Sequence, residues 1–400
     1  MYPKITLKRG KDKPVLAHHP WIFSGAIARA DDAHDSDTVD VFDAGGAWLA
    51  RGYYNSRSQI AVRLWTWNRD EAVDRAFLRG RLARAFAERN AWIDRDATDA
   101  YRLVNAESDL MPGLVVDRYA DFVVVQFLTL GIEKEKKEIT ELIAELVKPQ
   151  GIYERSDVDV REKEGLGSSV GVLYGGEPPD RIEVCENGFR FLVDVKRGHK
   201  TGFYLDQSEN RRRVADLTGF QKPVRSELLN VFSYTGAFSI YACAANPNVH
   251  AVNLDASADA LNLARENMRL NGCEANGEFV EGDAFHALRR YRDEGRSFDA
   301  IILDPPKFVY SQSQLQAGLR GYKDINLLAF KLLKPGGTLV TFSCSGLVSA
   351  DLFQKVIFGA AQDAGRDAQI IAKLSQAPDH PILLSFPESE YLKGLVCRVM

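Results

Sequence analysis

Beyond about residue 190 the chain settles into a strand–helix alternation, and this rhythm limits the fold more than any other feature. The strand-like runs are LLNVFSY, HAVNLD, GEFVEGD, FDAIILD and TLVTFSCS. Between them lie helical patterns such as AFSIYACAA, SADALNLARENMRLN, AFHALRRYRDE and QLQAGLRGYKDINLLAFKLL. In the second of these, Leu261, Ala264 and Met268 share one face and Ser257 stands where a cap belongs. Alternation of this kind predicts a parallel sheet covered by helices on both faces.

The 400 residues exceed one small core, and two or three domains are expected. Residues 1–68 read as a β-rich, barrel-like unit. TVDVFD, AWLARGYY and QIAVRLWTW alternate apolar and polar residues, with Gly45-Gly46 and Asn55-Ser56 as breaks. Residues 69–190 read as a small α+β domain. Ala72, Ala76, Leu82, Phe86 and Trp92 recur at helical spacing, GLVVDRYA, FVVVQFLT and GIYERSD are strand candidates, and EKEKKE reads as a solvated helix face. Residues 191–400 form the alternating domain.

Nothing in the sequence resembles a membrane span of about 20 apolar residues. The N-terminal MYPKITLKRGKDKP lacks the apolar stretch of a secretory signal. Five scattered cysteines make neither a disulfide framework nor a metal-ligand pattern, so no metal is expected and a cytoplasmic, reducing compartment is the natural reading. The formal net charge of −4 does not mark a nucleic-acid binder, yet residues 1–30 carry Lys4, Lys8, Arg9, Lys11, Lys13 and Arg29 against Asp12, six minus one or +5. Such a cluster suits phosphate contact, or equally a solvated terminus.

In an open parallel sheet, ligands bind beyond the carboxyl ends of the strands. The residues at those ends form a ladder: Gly236 opens a helix after the first strand, Asp255 follows the second, Asp283 the third, and Asp304-Pro305-Pro306-Lys307-Phe308 the fourth. A turn glycine and two successive acids suit an adenosine ligand, although each acid alone could merely stabilise a helix N-terminus. The paired prolines hold their loop extended and would present the Asp304 carboxyl to the site. After the fifth strand comes Ser343-Cys344-Ser345-Gly346, which puts one thiol in a polar loop at the predicted mouth. Most lone cysteines are structural, but that position favours a nucleophile. Just before the alternating domain, RGHKTGFYLDQSENRRR interleaves Arg197, His199 and Lys200 with Phe203 and Tyr204, a mixture that can hold phosphate and stack on bases or supply core aromatics.

The chain resembles the ribosomal RNA large subunit methyltransferase I family, bacterial 23S rRNA cytosine-C5 methyltransferases, over essentially its whole length. HHPWIFSGAI, YRLVNAESDLMPGLVVDRYADF, HKTGFYLDQ, NVFSYTGAFS, DPPKF, GYKDINLLA, TFSCSGL and YLKGLVCRVM carry the likeness. It implies an N-terminal PUA domain, a central α+β domain, and a class I methyltransferase domain with a Rossmann-like, mostly parallel seven-stranded sheet that uses S-adenosylmethionine. It further implies that Lys200, Thr201, Gly202, Phe203, Tyr204, Asp206, Gln207, Ser233, Tyr234, Thr235, Gly236, Asp255, Asp283, Asp304 and Pro305 surround the cofactor or target base. Cys344 matches the family's nucleophile, with Asp304 as its catalytic partner. Charge and resemblance together assign RNA contacts to Lys8, Arg9, Lys11, Lys13, His18 and His19, and Lys307 joins them beside the fourth-strand motif. The expected partner is 23S rRNA or a large-subunit precursor and not a membrane. A homodimer is compatible with the sequence, which fixes no oligomeric state.

The chain departs from two-cysteine RNA m5C enzymes. Where those carry a second cysteine beside the fourth-strand motif, it has Pro305 and Pro306, closer to RNA uracil-C5 methyltransferases. DPPKF is also similar to the motif of exocyclic-amino methyltransferases. A uracil-C5 enzyme, an amino-group enzyme and a non-catalytic RNA-binding assembly factor are therefore the rival readings.

Overall fold

The computed structural model describes residues 2–218 and 224–400. It divides into two compact units, one of Met1–Cys185, Val193–Leu205 and Pro378–Ser389, the other of Glu186–Leu192, Asp206–Ala377 and Glu390–Met400.

The first unit carries two sheets among the described residues. A six-stranded mixed sheet runs in the order Trp21–Phe23, Ile60–Thr66, Trp48–Tyr54, Thr38–Phe42, Lys4–Leu7, Ile27–Asp31. Its alternating Ile5, Leu7, Val39, Val41, Val62 and Leu64 are buried and form one core. A five-stranded sheet between Ala100 and Gly175 packs with the helices Arg75–Trp92 and Lys136–Val147. Tyr53 and Trp65 of the first sheet are buried in this second core. The helix Arg75–Trp92 starts at Asp74, whose side chain accepts from the Phe77 amide. Its buried stripe is Leu78, Leu82, Ala85 and Arg89, whereas Trp92 is 69% exposed and Ala72 precedes the helix. The expected apolar stripe is thus rotated, because Arg89 turns inward to a bidentate pair with buried Asp109 at 2.7 Å. The charged run 133–138 is only partly solvated, since Lys136 pairs with the buried Glu154 at 2.8 Å.

The second unit is the alternating domain. Its strands are, in chain order, Ser226–Val231, Val249–Asp255, Gly277–Glu281, Phe298–Leu303, Leu333–Ser343, Ala368–Ser375 and Lys393–Val399. They are called first to seventh below, and the sheet order is third, second, first, fourth, fifth, seventh, sixth. The first five are parallel, and the seventh is antiparallel to both neighbours. Strand middles such as Leu228-Leu229 and Ala300-Ile301-Ile302-Leu303 are wholly buried, as a sheet covered on both faces requires. Helices Ala258–Leu270, Ala284–Asp293, Leu315–Leu332 and Ala350–Asp363 contribute buried stripes including Ala264, Leu288, Ile325 and Ile357. Strand order reverses at the first strand, so the crevice falls at the carboxyl ends of the first and fourth strands.

Candidate active site

The turn after the first strand is tightly specified. Phe232, Tyr234 and Gly236 take positive φ of 59°, 46° and 76°. Non-glycine residues adopt this region rarely, and only where the surroundings enforce it. Here the Ser233 amide donates to Leu254 O at 3.1 Å and the Gly236 amide to Ser233 O at 2.9 Å. Beneath the turn, a buried network runs from Asn230 Nδ2 to Ser239 Oγ (3.0 Å) and on to Asn253 Oδ1 (2.7 Å). Asn267 Nδ2 donates to Thr235 O at 3.3 Å. Gly236 opens the helix Ala237–Ala245, and a Cβ there would lie 3.0 Å from Ala264 Cβ.

The acids sit at the ends of their strands. Asp255 accepts from the Tyr234 amide at 2.8 Å and the Ser257 amide at 3.0 Å, and each oxygen keeps a lone pair for a further donor. Asp283 caps the helix Ala284–Asp293 by accepting from the His286 amide at 2.9 Å and pairs with the His286 ring at 3.1 Å. Asp304 Oδ2 accepts from Gln207 Nε2 at 3.0 Å, and Gln207 Oε1 accepts from Asn210 Nδ2 at 2.6 Å. Asp206 accepts from Tyr391 Oη at 2.7 Å. Asp206 and Gln207 thus belong to the same unit as Asp304.

The remainder of the predicted 200–207 segment lies in the first unit. Thr201 donates to the buried Asp117 at 2.6 Å and meets Tyr119 Oη at 2.9 Å, while the Phe203 amide donates to Tyr119 Oη at 3.2 Å. Gly202 has φ +133°, with Val193 too close for a Cβ. Lys200 Nζ lies 4.4 Å from the Tyr204 ring centroid.

At the fourth and fifth strand ends, two loops are tied together. The Val309 amide donates to Ser345 Oγ at 3.3 Å. Tyr322 Oη lies 3.0 Å from both Ser345 Oγ and Ser343 Oγ. Burial raises the Tyr322 phenol pKa above its ordinary value, although the two serine hydroxyls act against this. Ser343 and Ser345 are buried and the intervening Cys344 is half-buried, as extended backbone places alternate residues on opposite sides. Cys243, Cys273 and Cys397 are buried in the core. Pro305 is buried, and Lys307 stands 5.4 Å from the Tyr310 ring.

Of the basic residues near the start, Lys8, Arg9, Lys11, Lys13 and His18 are exposed. The His18 ring stacks on Trp67 with centroids 4.8 Å apart, and His19 Nε2 lies 3.3 Å from Glu388. A cavity of about 460 Å³ lies among Lys11, Val15, His19, Trp21, Phe23 and Gly25. The sequence pattern marks Ser345 only as a neighbour of Cys344 and gives no role to Tyr322 or Lys393. Tyr322 reads as a helix core position, and only the long-range pairing of Ser343 with Lys393 brings the lysine to this loop.

The turn fits a polar ligand. Ser233 Oγ and Thr235 Oγ1 are buried with no hydrogen-bond partner among the described residues. Buried hydroxyls usually find a partner. Comparison with known proteins agrees. Residues 5–67 match the PUA-like domain model, and residues 160–390 match the S-adenosylmethionine-dependent methyltransferase model. Ribosomal RNA large subunit methyltransferase I of Klebsiella pneumoniae strain 342 is 47% identical over 407 residues, covering 100% of this chain and 99% of that protein. The protein of the same name from Aeromonas salmonicida strain A449 is 50% identical over 396 residues, covering 98% of each. The fold is shared with SMU.776 solved with S-adenosylhomocysteine, at TM-score 0.85, 20% identity and 99% coverage of both chains. S-adenosylmethionine is the methyl donor, and the chain belongs to the S-adenosylmethionine-dependent methyltransferase family, among relatives named ribosomal RNA large subunit methyltransferase I.

Proposed function

We propose that this chain methylates C5 of a cytosine in 23S ribosomal RNA through a covalent bond from Cys344. The observation that carries the reading is the placement of Cys344. It is a half-buried thiol just past the end of the fifth strand, on a loop bonded to the Asp304-Pro305-Pro306 loop through Val309 and Ser345. The relatives' name supports the rRNA substrate, and the PUA-like match over residues 5–67 supports RNA binding.

C5 of cytosine is a poor nucleophile. Attack of the Cys344 thiolate on C6 forms an S–C6 bond and moves the ring electrons to C5, which then carries enamine character. S-adenosylmethionine supplies an electrophilic methyl group when bound. Asp304 accepts from the N4 amino group and orients the ring for attack, with Gln207 fixing one of its oxygens. Loss of the C5 proton and expulsion of Cys344 restore the aromatic ring. Ser233, Tyr234, Thr235, Gly236, Asp255 and Asp283 hold the cofactor, Asp206, Gln207 and Pro305 border it or the base, and Lys8, Arg9, Lys11, Lys13, His18, His19 and Lys307 hold RNA phosphates and bases. The target base must leave its stack to be reached, so locally opened RNA is the substrate.

The test is Cys344→Ala with unmodified rRNA and labelled methyl donor. Loss of turnover with retained cofactor binding is expected, and wild-type turnover would remove the covalent scheme. The DPPKF motif keeps one alternative in play, transfer to an exocyclic nitrogen, which needs no thiol. Mass spectrometry of the product nucleoside separates the two.

A further inference from the structure

Antiparallel pairing of the fifth and seventh strands sets Lys393 opposite Ser343, one residue before Cys344. Lys393 is only 7% exposed. Its Nζ donates to Ser345 O and Val348 O, each at 2.8 Å, so it clasps the loop on both sides of Gly346-Leu347. Both acceptors are uncharged. Among the described residues no carboxylate lies within the 4.0 Å of an ion pair. A buried ammonium left in this way either gives up its proton or is compensated by a nearby anion.

The charged groups around it can be named. Burial pulls the Lys393 pKa below the ordinary lysine value; Cys344 and Glu390 act in the opposite sense, and Lys307 adds to the lowering. Tyr322, bonded to the same loop through Ser343 and Ser345, also senses Cys344. Electrostatic interaction is mutual: if an ionised thiol favours the ammonium, the ammonium favours the ionised thiol.

We propose that Lys393 is the positioning residue that activates Cys344, fixing the loop through two carbonyls and stabilising the thiolate with its buried charge. In atoms, Cys344 Sγ–H loses its proton to solvent while Lys393 stays protonated, so the pair changes from a lone cation to a neutral ion pair. The inference rests on Cys344 being the nucleophile, but its test does not need methyl transfer.

That test follows alkylation of Cys344 by iodoacetamide against pH in the full-length chain. The modified peptide is quantified by mass spectrometry, so that half-buried Cys185 is scored separately. Wild type should show a midpoint below the free-cysteine value of about 8.5. Lys393→Gln should raise it by about one unit, roughly a tenfold loss of thiolate on the low-pH limb, with the high-pH limiting rate little changed. Lys393→Arg should keep the wild-type midpoint. An unchanged midpoint in Lys393→Gln overturns the proposal. So does a changed limiting rate at constant midpoint, which is what a purely structural tether would give. Should Lys393→Gln fail to show a cooperative thermal transition, the wild-type midpoint decides alone, and a value at or above about 8.5 overturns it. If instead Cys344→Ala retains turnover while Lys393→Gln shifts the midpoint, the covalent reading fails and the activation stands.

Discussion

Gly236→Ala probes the turn proposed to hold the cofactor. With φ 76° and ψ 13°, Gly236 sits in the left-handed region. A Cβ in that region costs about 1–2 kcal/mol. The added methyl would also stand 3.0 Å from Ala264 Cβ, inside the usual ~3.5–4.0 Å carbon contact, and Ala264 is wholly buried. The two effects together amount to about 2–3 kcal/mol, or a fall in melting temperature of about 4–12 °C for a domain of this size. Because the same residue opens the helix beneath the proposed cofactor, S-adenosylhomocysteine affinity should fall at least about tenfold, or ~1.4 kcal/mol. Thermal unfolding and calorimetric titration read the two quantities. The contact part can be isolated by repeating the substitution in an Ala264→Gly background, where only the backbone cost remains and the penalty should shrink by about 1 kcal/mol. A melting temperature within about 1 °C of wild type, with unchanged affinity, would refute the strain argument.

Four further outcomes are expected. Tyr322→Phe removes the hydroxyl shared by Ser343 and Ser345 and should cost about 1–3 kcal/mol of stability in denaturant titration, with a drop in turnover as the thiol loop loosens. Arg211→Met strands Glu186, which is fully buried and bonded to Arg211 at 2.8 and 2.5 Å, and should destabilise the second unit by about 3–5 kcal/mol; Glu186→Gln combined with Arg211→Met should recover part of that loss. Brief alkylation of native protein at pH 8 should label Cys344 and spare Cys397, whose thiol burial pushes up to about 12; labelling of both at equal rates would contradict the core assignment. Burial pushes the Asp379 carboxyl upward, but His380 and Arg102 outweigh it and hold the pKa below the ordinary value. Its contribution is therefore present above the unfolded pKa near ~4 and lost as pH falls through the lower folded value, so Asp379→Asn should flatten the acid limb of stability against pH.

The second unit was legible in the sequence because its determinants are local and periodic. Ser257 caps its helix by accepting from the Ala260 amide at 3.2 Å, as its position suggested. Asp255 ends its strand and Gly236, Asp283, Asp304 and Cys344 follow theirs closely, since a parallel sheet exposes those ends by construction. Less legible was what depends on distant pairing. Helical spacing could not show that Arg89 would displace an aromatic from the buried stripe of Arg75–Trp92, because its partner Asp109 lies in another element. The same holds for Gln207 on Asp304 and for Lys393, whose chemistry comes from an antiparallel register that no local pattern encodes. Asp283, read as a ligand to the cofactor, is engaged with the His286 amide as a helix cap, and both roles use the same carboxylate.

The covalent bond from Cys344 is tested most sharply with RNA carrying 5-fluorocytosine at the target position, where fluorine blocks loss of the C5 substituent and holds the bond to the protein. After incubation with S-adenosylmethionine, nuclease treatment and peptide mass spectrometry, a single nucleotide-bearing peptide is expected, with the link at Cys344. A link at another residue, or ordinary methylation of normal RNA with no trapped species at all, would contradict it.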